Sequence, residues 1–292
     1  MQTMYAVDGR ADLEEQSLEH LEGYRGSRPV RVGNAASRQL QLDIFGELID
    51  ALYLYDRLGN PLTYDSWTHI ANIVNWVADH WRQPDDGIWE VRGGQKEFLN
   101  SRVMCWVALD RGLRLARNRS FPAPRVRWRQ VRAAICDDIH SAFWDPELQS
   151  FVQYKGAKTV DAASLLMPLV RFIDPNDSRW FFTLRRIEQV LVADSLVFRY
   201  DPGLAADDGF RGEEGTFSMC SFWYVECIAR AGDLQKARFL FEKALSYANH
   251  LGFYSEQLSP RGEHLGNFPQ AFTHLALISA AQYLNRHLPK SE

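Results

Sequence analysis

Apolar residues recur at three- and four-residue spacing through most of the chain, the period that lays one apolar stripe along an α-helix. The first stretch runs from Asn34 to Leu58, where Leu42, Phe45, Leu48, Ile49, Leu52 and Tyr55 share a face. Asp65–Trp81 follows, carrying Ile70, Ile73, Val74 and Val77. The same period predicts helices over Phe98–Arg117, Val126–Phe143, Asp161–Ile173, Asp177–Val192, Phe217–Ala231, Leu234–Leu251 and Phe268–Leu288. Strand-like runs are confined to Phe151–Tyr154 and Val197–Tyr200, too short for a large sheet. The predicted class is all-α.

The links between these segments are unequal. Ala231-Gly232-Asp233 is a short turn in which a glycine closes one helix and an acidic residue opens the next. Gln83–Glu97, Arg199–Thr216 and Gly252–Asn267 are long, polar and glycine-rich. Loops beyond ~12–15 residues inside a compact domain are usually functional. Alternating short and long links suit a ring of helical hairpins whose long loops gather at one end; an irregular bundle with idle loops is the alternative. No proline-rich linker or shift in composition marks a boundary, so residues 1–292 are expected to form a single domain.

Composition narrows the function. With 33 Lys+Arg against 37 Asp+Glu, the formal charge of −4 leaves no electrostatic footprint for nucleic acid. No uncharged apolar stretch reaches the ~18 residues of a membrane span. Met1–Arg10 has neither the basic nor the apolar region of a secretory signal. Cys105, Cys136, Cys220 and Cys227 sit in helical patterns without a CxxC pair, which argues against zinc. They are expected to be reduced, buried residues of a cytoplasmic protein. Aromatic residues make up 13% of the chain, enough for a large helical core or for a cleft that stacks on pyranose rings.

Two long loops offer carboxyl chemistry. The first reads Pro84-Asp85-Asp86-Gly87-Ile88-Trp89-Glu90-Val91-Arg92-Gly93-Gly94. An indole beside a carboxyl group supplies a stacking face and a low-dielectric wall that favours the protonated acid, which can then donate to a leaving-group oxygen. The competing reading is a solvated Glu90 with Trp89 plugging the helix ring. The last loop carries Glu256 in Tyr254-Ser255-Glu256-Gln257 and ends at Asn267-Phe268-Pro269-Gln270. A second carboxylate there could act with Glu90 as the base of an inverting glycosidase, whose acid and base stand ~6.5–9.5 Å apart. Glu256 could equally cap or salt-bridge locally. Asp85, Asp86, Glu213, Glu214 and Glu263 are rival loop carboxylates, and spacing does not choose among them.

Five strings in order, GYRGSRPVRVGN (Gly23–Asn34), LQLDIFGE (Leu40–Glu47), DGIWEVRG (Asp86–Gly93), GTFSMCSFW (Gly215–Trp223) and LGNFPQAFTHL (Leu265–Leu275), resemble glycoside hydrolase family 15, the glucoamylase and trehalase-like enzymes. The resemblance covers nearly the whole chain. It implies an (α/α)6-type toroid that hydrolyses α-glucosidic bonds with inversion, acting on trehalose or on malto- or gluco-oligosaccharides. Glu90 matches the general acid and Glu256 the general base. Trp89 shapes the glucose subsite, Glu214 contacts substrate with Glu213 as a close rival, and Arg92 holds the loop by pairing with a carboxylate. Arg28 and Arg31 either bond sugar hydroxyls or pair with loop carboxylates. His274 reads as a core histidine. No metal or organic cofactor is implied.

The chain departs from the family at its start. The usual N-terminal β-sandwich and the Arg-Asp motif that grips the innermost glucose are missing, so the toroid is expected to be incomplete at the N-terminus. A homo-oligomer or a separate partner would then cover the open edge, or the chain would be a truncated, weakly active or inactive sugar-binding toroid. A helical terpene cyclase is a third class. It would need Asp-rich Mg²⁺ motifs, for which pairs such as Asp137-Asp138 and Asp207-Asp208 are poor candidates.

Overall fold

The computed structural model describes residues 1–91, 93–201 and 214–289. Two compact units divide it, Met1–Val131 and Arg132–Glu292. Each is described by itself.

The first unit is built on α1 (Asp43–Arg57), α2 (Tyr64–His80), α3 (Leu99–Asn118) and the opening turns of α4 (Arg125–Ala142). Thr63 caps α2 by accepting from Ser66 N at 3.1 Å. Its inward face carries Trp67, Ile70, Val74 and Val77, all buried. Side chains of this size contribute ~1.5–3 kcal/mol each when fully buried. α3 is the most enclosed helix of this unit: Val103, Met104, Cys105, Val107, Ala108, Leu109 and Leu115 are all buried. Even its Arg102 is enclosed; Glu97 pairs with it at 2.6 Å, and the Arg82 and Gln83 carbonyls accept from it. The buried indoles keep hydrogen bonds, Trp128 to Asn75 and Trp67 to the Pro122 carbonyl. Ahead of α1, Gln16–Ser17 pairs antiparallel with Arg31–Val32, and Asn34 caps a 3-10 turn over Ala35–Arg38.

The first helix therefore starts at Asp43, later than its periodicity suggests. The Asn34 side chain accepts from Ala36 N at 2.8 Å and commits that stretch to a separate turn.

In the second unit α5 (Leu166–Leu169), α6 (Ser178–Leu191), α7 (Ser218–Arg230), α8 (Leu234–Leu245) and α9 (Ala271–His287) follow. α7 is buried along most of its length and packs on α8 and α9. The Ala231–Asp233 turn is as expected: Gly232 takes φ +97°, and Asp233 caps α8 by accepting from Lys236 N. The fifth predicted helix shrinks to a 3-10 turn, Ala162–Leu165, continued by α5. Arg171 ends it in the left-handed region at φ +62°, with its N–H on the Pro168 carbonyl and that of Phe172 on Met167. That is the Schellman stop. α8 ends at Leu245, short of the predicted Leu251.

Strands are brief. Trp144–Asp145 pairs with Ser150–Phe151, and Val192–Ala193 with Leu196–Val197. A third sheet joins Thr216–Phe217, Gln257–Leu258 and His264–Leu265, all antiparallel, with Phe217 opposite Gln257 and Gln257 opposite Leu265. The four cysteines are free; Cys136 is half-buried and the other three are buried, so the core reading holds for three. No helix among the described residues is long and apolar enough to cross a membrane.

One close approach sets the α1–α3 packing. A Cβ on Gly46 would lie 2.2 Å from the Met104 carbonyl oxygen. Gly46→Ala should therefore destabilise the protein by about 1–3 kcal/mol in urea unfolding, by overpacking. A gain of ~1 kcal/mol, the propensity effect of alanine in a helix, would contradict this packing.

Candidate active site

In the first unit the loop between α2 and α3 is pinned at its base by two carboxylates. Asp85 exchanges both backbone hydrogen bonds with Lys96, at 2.9 Å each. Its Oδ2 accepts from Leu42 N at 2.8 Å and from Ser101 Oγ at 2.7 Å, with the residue fully buried. Asp86 donates its N–H to the Leu40 carbonyl, while its Oδ2 accepts from Leu40 N at 2.9 Å and Gln95 Nε2 at 3.1 Å. The side chains of these two rivals for the catalytic role thus bond the backbone of the segment before α1.

Beyond the staple the chain turns back. Gly87 stands at φ +71°, where a Cβ would lie 2.8 Å from the Phe98 ring. Three residues on, Glu90 donates to the Gly87 carbonyl and itself adopts φ +56°. A left-handed glutamate costs about 1 kcal/mol or more, and the pinned loop imposes it. Trp89 is buried and Glu90 half-buried. The Val91 carbonyl accepts from Gln39 Nε2. Glu90 is thereby presented on a braced turn, not on a solvated tip.

Two carboxyls, Asp85 in this loop and Asp43 at the start of α1, are buried. Burial, with the charges of Asp85 and Glu47, pushes Asp43 up to about 7. Burial also raises Asp85 to about 6, outweighing its bonds from Leu42 and Ser101 and the charge of Arg102. Oδ1 of each has no hydrogen-bond partner among the described residues.

The second unit carries Glu256 at the mouth of the three-stranded sheet. Its backbone is fixed on both sides: Ser218 N donates to its carbonyl and its own N–H donates to the Asn267 carbonyl, both at 2.9 Å. The carboxylate is half-buried. Oε2 accepts from Asn267 N at 3.0 Å and Asn267 Nδ2 at 3.3 Å, and Oε1 from Gln270 Nε2 at 3.4 Å. Gly266, at φ +69°, leaves the room; a Cβ there would lie 2.5 Å from Glu256 Oε2. Below, buried Ser255 donates to the Gln257 carbonyl and meets His264 Nδ1 at 2.9 Å.

Glu214 lies in the same unit. It takes hydrogen bonds from Arg199 and from Gln257 Nε2, while Gln257 Oε1 accepts from Gly215 N at 3.1 Å. The Arg199 guanidinium lies over the Phe217 and Tyr200 rings, 4.7 and 5.1 Å from their centroids. Arg199 and Gln257 were not singled out by pattern, although Gln257 completes the Ser-Glu-Gln string and Arg199 opens the long loop. Glu263 stands exposed in the turn before His264–Leu265.

The N-terminal arginines meet carboxylates. Arg28 pairs with Glu22 at 2.8 Å, and Arg31 with Glu15 at 3.4 Å, the second of the two readings open to them. His274 bonds its own helix at the Gln270 carbonyl. Arg92, Asp207, Asp208 and Glu213 lie outside the described residues. Among the described residues no cluster of three or more His, Cys, Asp or Glu is placed to hold a metal ion.

The family model of glycosyl hydrolases family 15 matches residues 1–282. A trehalase of Mycobacterium tuberculosis is 44% identical over 290 residues, which span 98% of this chain and 42% of that protein. One from Thermoplasma acidophilum is 39% identical over 97% of this chain and 48% of its own length. The chain thus spans less than half the length of these curated relatives. Among solved structures, a glycosidase in complex with glucose superposes with a TM-score of 0.73 at 19% identity, covering 91% of this chain and 74% of its own. A bacterial glucoamylase complexed with acarbose gives 0.71 at 14%, covering 85% and 41%. The chain shares the mostly helical fold class of these neighbours.

The buried carboxyls give the fold a pH signature. Their folded values lie above the ordinary carboxylate range, so folding takes up protons there, and the stability they contribute is complete below about pH 4 and lost as pH rises through 6–7. Between pH 5 and pH 8 the protein should lose on the order of 4 kcal/mol through these groups. Asp43→Asn should lose measurably less in urea unfolding. Equal losses in the two proteins would contradict the assignment.

Proposed function

The chain belongs to glycosyl hydrolases family 15, and on that premise we propose that it hydrolyses α-glucosidic bonds with inversion, with trehalose as the first substrate to test. The observation that carries this is the identity to curated trehalases along 97–98% of the chain. Maltose and longer gluco-oligosaccharides are the second choice. The proposal treats residues 1–292 as one catalytic domain.

In this reading Glu90 is the general acid. It gives its proton to the glycosidic oxygen as the C–O bond breaks through an oxocarbenium-like state. Glu256 is the general base and takes a proton from the water whose oxygen bonds to the opposite face of the anomeric carbon. One bond breaks, one forms, and each carboxyl exchanges one proton. The reaction so written uses no metal or organic cofactor. The braced turn at Glu90 and the hydrogen bonds that hold Glu256 support these roles, since proton transfer requires a fixed donor and acceptor. Trp89 walls the glucose subsite. Glu214, oriented by Arg199 and Gln257, contacts substrate; Arg28 and Arg31 remain candidates for sugar hydroxyls once their carboxylate pairs open.

The proposal extends to setting. Four free cysteines fit a cytoplasmic protein. Exposed Phe272, Leu275 and Ile278 on α9 fit an apolar face covered by a second copy or a separate partner.

Glu90→Gln and Glu256→Gln should each lower kcat for glucose release from trehalose by about 10²–10⁴-fold, with thermal unfolding unchanged within a few degrees. Full activity in either variant would remove that residue from the mechanism. Calorimetry with trehalose separates binding from turnover: heat of binding without glucose release would favour a sugar-binding, inactive protein.

A further inference from the structure

Gln270 occupies the N-cap of α9, a position where Ser, Thr, Asp or Asn is favoured. Its bond to the helix is long: Oε1 accepts from Phe272 N at 3.5 Å. Capping alone is a weak reason for glutamine here. The other end of the amide, Nε2, reaches Glu256 Oε1 at 3.4 Å. The two contacts fix the amide's orientation. Turning it over would set an oxygen against a carboxylate and an NH₂ group against an N–H. The backbone is held as well, since Gln270 N donates to the Tyr254 carbonyl at 2.9 Å, two residues before Glu256.

Asn267 holds the other oxygen. Its N–H and its Nδ2 both donate to Oε2, filling the two lone pairs there. Oε1 accepts one bond from Gln270 and keeps one lone pair. We infer that Asn267 and Gln270 are positioning residues that saturate one oxygen of Glu256 and aim the free lone pair of Oε1 at the attacking water. This rests on the reading of Glu256 as the base and adds which oxygen takes the proton and what aims it.

The test is Gln270→Glu in the full chain, alone and combined with Glu256→Gln. A carboxylate at an N-cap is favoured by the helix dipole, so a residue that only caps predicts an unchanged or higher Tm at pH 8. Positioning predicts two facing carboxylates, a Tm lower by about 2–4 °C, and recovery of most of that loss when Glu256→Gln is added. The same Gln270→Glu shift in both backgrounds would overturn the contact. In kinetics, Gln270→Glu should lower kcat about 10–100-fold with KM within about twofold, and Asn267→Ala, which keeps the backbone donor, should cost less. Should Glu256→Gln be inactive while Gln270→Glu keeps wild-type kcat, the positioning role is wrong and the base stands. Full activity in Glu256→Gln would instead remove the base itself.

Discussion

A loop that carries a carboxylate into a half-buried setting has to satisfy its own backbone amides, because a buried N–H without an acceptor costs as much as a lost hydrogen bond. Acidic side chains meet that need in both units. Asp85 takes the Leu42 N–H, Asp86 the Leu40 N–H, Asp161 the Ala163 N–H and Glu256 the Asn267 N–H. The first two fasten the Trp-Glu turn to the segment before α1, and that fastening holds Glu90 at a positive φ. The last makes Glu256 part of the backbone network of its own loop. The accompanying charge is a burden at Asp43 and Asp85, where burial drives both carboxyls toward the neutral form.

Glycine does complementary work where two groups come closest. Gly46 lets α1 meet the α3 backbone, and Gly266 leaves the space that the Glu256 carboxylate fills. Neither role concerns flexibility. Each is a close contact that any side chain would block.

Helices were legible from the sequence because their apolar period repeats over many residues, as in α2 and α7. Their ends depended on single residues whose local bonds compete with the period: Asn34 capping its own turn and Arg171 taking a left-handed φ. The sheet joining residues 216–217, 257–258 and 264–265 left no trace, since a two-residue strand has no period to read. For the candidate site, the Trp-Glu and Ser-Glu-Gln strings point to Glu90 and Glu256, but spacing does not separate them from Asp85, Asp86 or Glu263. Asp85 and Asp86 accept from the Leu42 and Leu40 N–H groups, a three-dimensional fact that spacing does not carry. Arg199 and Gln257 carry no sequence signal of their own, since only folding brings them to Glu214.

In the proposed reaction Glu90 and Glu256 hydrolyse an α-glucosidic bond with inversion. Proton NMR of trehalose incubated with the protein reads it directly, through the anomeric signals before mutarotation equilibrates. Inversion at one ring and departure of the other predict β-glucose and α-glucose in equal amounts at the earliest times. Release of α-glucose alone, or no release at all, would contradict the account.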